Sequence, residues 1–200
     1  SKQENDVKTP RPNITAGLRH STVVEALVAR GLSEEIADLF LKDLQRQQWL
    51  LSDPTQQALP IRFPPIVVES KSYATGKSVF EAQNQASVSG TCMANLQYKL
   101  TDLTKRLSPE SHSFNAPLAF SICTEGPHME LWVHYTTTSK GGVRKYNMNI
   151  LETCHASIEK WVREFLMVVD RVMSWATGDF LNDIAEQLVL VESAAREQTE

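Results

Sequence analysis

The sequence predicts an α/β domain: a small mixed β-sheet flanked by helices, with further helices at the N- and C-terminal ends. Three observations carry that expectation. Ile66, Val67 and Val68 are consecutive β-branched residues, the pattern of a short strand buried on both faces. From about Val79 to Leu107 the period is helical, with Ala82, Ala86, Gly90 and Ala94 on one face. Three further strand-like segments then precede a long amphipathic helical stretch, an alternation that builds layered α/β structure.

The 200 residues are 42% hydrophobic and 22% charged, an ordinary globular composition that can bury a core without disulfides. We read a flexible lead over residues 1–20 and a single domain over residues 21–195. The net charge of −4 argues against wide nonspecific nucleic-acid binding, while leaving room for a local basic channel. Cys92, Cys123 and Cys154 are odd in number, widely spaced and without a CxxC. They predict reduced thiols in an intracellular protein of cytoplasm or nucleus, and no zinc site. No apolar run approaches the ~18 residues that span a bilayer, so no membrane is expected. The polar start SKQENDVKTPRPN has no signal-peptide core, and a first residue other than Met suggests a fragment or a processed chain.

Ser21 is placed to cap a first helix carrying Val24, Leu27 and Val28, which Gly31 ends. Ser33 starts a second, with Glu34 and Glu35 favourably placed in its first turn and Ile36, Leu39, Phe40 and Leu44 as its apolar stripe. Asp53-Pro54 stops the segment, and Pro60, Pro64 and Pro65 mark a turn region. The buried strand follows, then Glu69, Ser70 and Lys71 and a loop from Tyr73 to Ser78. Small residues along the next helix predict its close approach to a sheet. Strands are expected at Leu118–Thr124, Met129–Thr137 and about Arg144–Ile150, with turns at Gly126-Pro127 and Lys140-Gly141-Gly142. The alternation from Glu130 to Tyr135 predicts a half-exposed strand. Ser157 to about Glu192 forms one or two amphipathic helices with a break at Gly178. The wide apolar stripe of Ile158, Trp161, Val162, Phe165, Leu166, Val169, Val172 and Met173 predicts packing within the domain or a homodimer through the C-terminal helices.

Glu69 and Lys71 carry the chemistry. Residues i and i+2 of a strand project from one face, so this carboxylate and ammonium point the same way. A carboxylate supplies oxygen to a hard cation, and an ammonium orients a water or stabilises a pentavalent phosphate. An isolated Glu-x-Lys is also an ordinary surface pair; the buried strand before it and the long helix after it sharpen the signal. Other patterns fail. Gly76-Lys77-Ser78 would need a first P-loop glycine at position 71, which is Lys71. His128, His134 and His155 do not converge by spacing on a metal. Trp132, Tyr135 and Tyr146 stack on bases if exposed and are core if buried.

The stretch PPIVVESKSYATGKSVFEAQNQASVSGTCMANL resembles the core of a fungal PD-(D/E)XK nuclease-like domain family. In that family a hydrophobic strand ends in Val-Glu-x-Lys, and a helix carrying Asn-Gln-x-x-x-Ser/Gly follows. APLAFSICTEGPHMELWVHY and FLMVVDRVMSWATGDFLNDI are similar to its strand pair and C-terminal helices. The resemblance implies a restriction-endonuclease-like core and a Mg²⁺- or Mn²⁺-dependent endonuclease-like hydrolase acting on DNA or RNA. Glu69 matches the acidic position, Lys71 the lysine, and Gln85 a supporting polar residue. The family also has an Asp before this strand, usually after Pro; here Asp53-Pro54 has the reversed order, so Asp53 is the candidate second metal ligand beside Glu69. Glu25, Glu34 and Glu35 are alternatives. The departure keeps a second function class open: a catalytically degenerate nuclease-like fold used for interaction or recruited to another chemistry.

Overall fold

The computed structural model describes residues 11–52, 61–72, 76, 78–110 and 114–197. It contains a five-stranded mixed sheet in the order β1-β2-β3-β4-β5. The strands are β1 (Ile14–Arg19), β2 (Ile61–Lys71), β3 (Leu118–Glu125), β4 (His128–Thr138) and β5 (Arg144–His155). β2 and β3 are parallel and the other pairs antiparallel. The helices are α1 (His20–Val28), α2 (Glu34–Arg46), α3 (Val79–Leu107), α4 (Glu159–Trp175) and α5 (Leu181–Glu197).

β1 and the length of β2 are the main departures from the expected order. Ile14–Arg19 fall inside the expected flexible lead, yet pair with β2. Pro64 and Pro65 fall inside the strand rather than in a turn. Their missing N–H groups do no harm there: the β1–β2 register is irregular between Ala16 and Leu18, and the β3 ladder begins only at Ile66. Gly17 makes that irregularity possible, because a Cβ there would clash with Ile61 and crowd the Arg62 carbonyl and Pro64.

α3 is the crossover between the parallel strands, with the expected bounds. Ala82, Ala86, Gly90 and Ala94 are buried along it and bring its axis close to the sheet. The opposite face of the sheet is covered by α4, where Ile66, Phe120, Leu131, Cys154, Phe165 and Val172 form one apolar cluster. β4 is therefore covered on both sides, not half-exposed: Leu131 packs in that cluster, while Glu130 and His134 are also buried.

A second core joins α1, α2, α5 and the end of α3 around Phe63. Ser33 caps α2 as expected, its Oγ accepting from Ile36 N at 3.3 Å. The face α2 buries is Ala37, Leu41 and Leu44, whereas Ile36 and Leu39 are exposed. α4 buries only Phe165 and Val172 of its wide stripe and leaves Trp161, Leu166 and Met173 exposed. At Gly178 the helix does not break: a π-turn, Ala176–Phe180, carries α4 into α5.

Candidate functional site

The parallel strands end together, and the N-terminus of α3 lies beside them. In α/β sheets this crevice, at the C-terminal ends of the strands, is where ligands bind. The register sets its contents. β2 to β3 pairs Glu69 with Cys123 and Lys71 with Glu125. β3 to β4 pairs Cys123 with Glu130 and Glu125 with His128. Directly paired residues share a face of the sheet, so two rows face α3: Glu69–Cys123–Glu130, and beyond it Lys71–Glu125–His128.

α3 reaches down onto both rows. The Val79 N–H donates to Glu125 Oε2 at 2.7 Å, so a carboxylate from β3 closes the helix N-terminus. Gln83 Nε2 donates to Glu130 Oε2 at 2.8 Å, and Ser89 Oγ to Glu69 Oε1 at 3.3 Å. Lys71 Nζ donates to Gln85 Oε1 at 2.5 Å. The structure thus brings together the three expected site residues Glu69, Lys71 and Gln85. Ala82 and Ala86 pack on Cys123 between the two acids, and their small size permits this approach.

The two acids of the inner row meet different fates. Glu69 is 1% exposed, and its Oε2 has no hydrogen-bond partner. Burial raises its pKa, opposed by the Ser89 hydrogen bond and the Lys71 charge. Glu130 is 7% exposed, and burial pushes its pKa up too. Donors from Gln83, His128 (3.0 Å) and Trp132 (2.9 Å) outweigh that push, and the net shift is downward. Between them, burial and then the fields of Glu130 and Glu69 push the Cys123 thiol up to about 12, so it stays an inert thiol.

Asp53 lies outside the described residues. Glu25, Glu34 and Glu35 are exposed on α1 and α2, helices that pack around Phe63 toward the opposite end of β2 from Glu69. Among the described residues no group of three or more His, Cys, Asp and Glu is placed to hold a metal ion. Mg²⁺ is held by one or two carboxylates plus waters and substrate oxygens, and it dehydrates reluctantly. Glu69 offers one unpartnered but buried oxygen toward such a site, and the described residues do not complete it. His128, Glu130 and Gln83 belong to the crevice, and the sequence reading did not single out Glu130. The signal that touched it was the alternation from Glu130 to Tyr135, which predicted a half-exposed strand without saying which face is covered.

A family profile described as Domain of unknown function (DUF7924) matches residues 1–188, and the chain belongs to this family. No curated protein and no solved structure matches it.

Proposed function

We propose that this is a nuclease-like domain whose crevice at the ends of β2 and β3 engages a nucleic-acid phosphodiester. The observation that carries this reading is the Lys71–Gln85 contact beside buried Glu69, on one face, where two parallel strands meet a helix N-terminus. Gln85 holds the ammonium through a neutral acceptor, so Lys71 keeps its full charge for a phosphate oxygen. An ammonium fixed in this way stabilises the charge that develops on a phosphorus undergoing substitution. Glu69 sits two residues back on the same face of the strand, and the Lys71 charge opposes the upward push that burial gives its pKa. The agreement with the PD-(D/E)XK pattern is in the strand–helix unit: a buried Val-Glu-x-Lys strand followed by a helix bearing the supporting Gln.

A divalent cation belongs to this proposal as the group that would supply an activated water. Glu69 is its single matched ligand among the described residues.

A second reading is favoured by one observation. Glu69 is almost completely buried, with a raised pKa, and among the described residues no group of three or more His, Cys, Asp and Glu is placed to hold a metal ion. In that reading the crevice is a degenerate site that binds without cutting, or serves another chemistry. Calorimetric titration with Mn²⁺ and Mg²⁺ distinguishes the two. Saturable uptake that Glu69→Ala abolishes supports the first reading. No uptake by the wild-type chain supports the second.

A further inference from the structure

A cleft of about 630 Å³ opens at the other end of β3. It lies between the start of β3, the second half of β4, the middle of α3 and the α4–α5 junction. Its volume falls in the roughly 300–1,000 Å³ range of small-molecule sites. Neither Glu69 nor Lys71 lines it.

Its chemistry is one-sided. The described lining holds three carboxylates, Asp179, Asp183 and Glu186, and no Lys, Arg or His. Asp179, Asp183 and Glu186 follow one another at helical spacing along the π-turn and α5, so their like charges sit on one helix face and repel. Tyr135, Trp175 and Phe180 form the aromatic part of the lining. Trp175 is held in place by Phe180 at a centroid distance of 4.9 Å and by Phe120, edge-on, at 5.4 Å.

A second feature is an orphaned acceptor. Gln187 also lines the cleft and is 2% exposed. Its Nε2 donates to Asp183 Oδ2 at 2.8 Å, which fixes the amide orientation and leaves Oε1 as an acceptor without a donor. A buried unsatisfied acceptor costs on the order of 1–3 kcal/mol, so a donor arriving there recovers that loss. Asp183 Oδ1 is already engaged by Asn115 N and Nδ2 at 3.4 and 3.3 Å. Burial raises the Asp183 pKa even so, and a carboxylate in that position gains from a neutralising cation.

The ligand that fits is positively charged, rich in N–H donors and partly apolar. The acids do not converge as a metal cluster, since no such group exists among the described residues. That favours an extended organic cation over a metal ion. We propose that this cleft binds an alkylammonium ligand, with its ammonium groups on Asp179, Asp183, Glu186 and the Gln187 acceptor and its carbon chain against Trp175 and Tyr135. A cation over an indole face is a favourable contact in itself.

Spermidine is the probe, titrated calorimetrically into the whole chain. The variant is Asp179→Asn with Glu186→Gln: both side chains are exposed, and an unchanged urea midpoint verifies the fold. The expected result is saturable binding to wild type, weakened at least tenfold in the double variant and retained in Glu69→Gln. No binding to wild type, an unchanged affinity in the double variant, or Ca²⁺ competing for the same acids overturns the proposal. Loss in Glu69→Gln as well would place the amine at the other crevice and overturn it equally.

Discussion

Glu69 and Glu130 stand in one cross-strand row, buried beneath the same helix, and only Glu130 is well supplied with donors. The shifts that follow are statements about stability as well as acidity. For Glu69 the folded pKa lies above its ordinary 4.5, so the folded state holds a proton that the unfolded chain has released. Its stabilising contribution is present below 4.5 and is lost as pH rises through the raised value. Glu69→Gln keeps the shape of the protonated carboxyl without its charge. It is expected to become more stable than wild type as pH rises to neutrality, read from urea midpoints across that range. Midpoint curves that run parallel would contradict the assignment. Glu130 has the opposite sign: its lowered pKa gives stability above the ordinary value, lost as pH falls. His134 adds to the acid side. Burial lowers its pKa from 6.5 to about 4, so stability present above 6.5 is lost as pH falls toward 4. The comparison is therefore between wild type and variant at each pH, not along one curve.

At the scale of elements, α3 is the part that assembles the crevice, and its approach depends on small residues. Gly90 lies against the imidazole of His134, which is itself held by Ser121 Oγ at 2.8 Å from Nε2. A Cβ at position 90 has no room without moving that ring or the helix. Gly90→Ala is expected to cost about 1–3 kcal/mol through overpacking, against the small gain an alanine normally brings to a helix interior. An equilibrium urea titration reads this, and an unchanged or raised midpoint would contradict the packing. The small-residue stripe, the bounds of α3 and the presence of β3, β4 and β5 were legible in the sequence, because period and turn residues are local signals. β1 was not. Ile14–Arg19 carry a glycine and no run of apolar residues, and their strand state comes from pairing with a distant partner. The face of α2 was misplaced because Ala37 is a weak hydrophobic signal, and docking against α1 decides which side is buried. The length of β2 was hidden by Pro64 and Pro65, whose tolerance depends on where neighbouring ladders begin and end.

For the molecule as a whole, the sheet separates two layers with different work. α4 and its apolar cluster close one face, while α3 and the polar rows occupy the other. The Glu69–Lys71 pair was legible because the strand period puts residues i and i+2 on one face, whereas Gln85 came from the family resemblance alone. Glu130 was not, because its burial comes from α3 lying over β4, a contact between residues far apart in sequence. The parallel ends of β2 and β3 then place Lys71 beside the second turn of α3, where Gln85 holds it, while Glu125 closes the helix N-terminus. Incubation of the chain with plasmid DNA and with single-stranded RNA, in Mg²⁺ or Mn²⁺, beside Glu69→Ala and Lys71→Ala, tests this most directly. The account predicts cleavage by the wild-type chain that both substitutions abolish. Cleavage that survives both, or none by the wild-type chain with either metal, would contradict it.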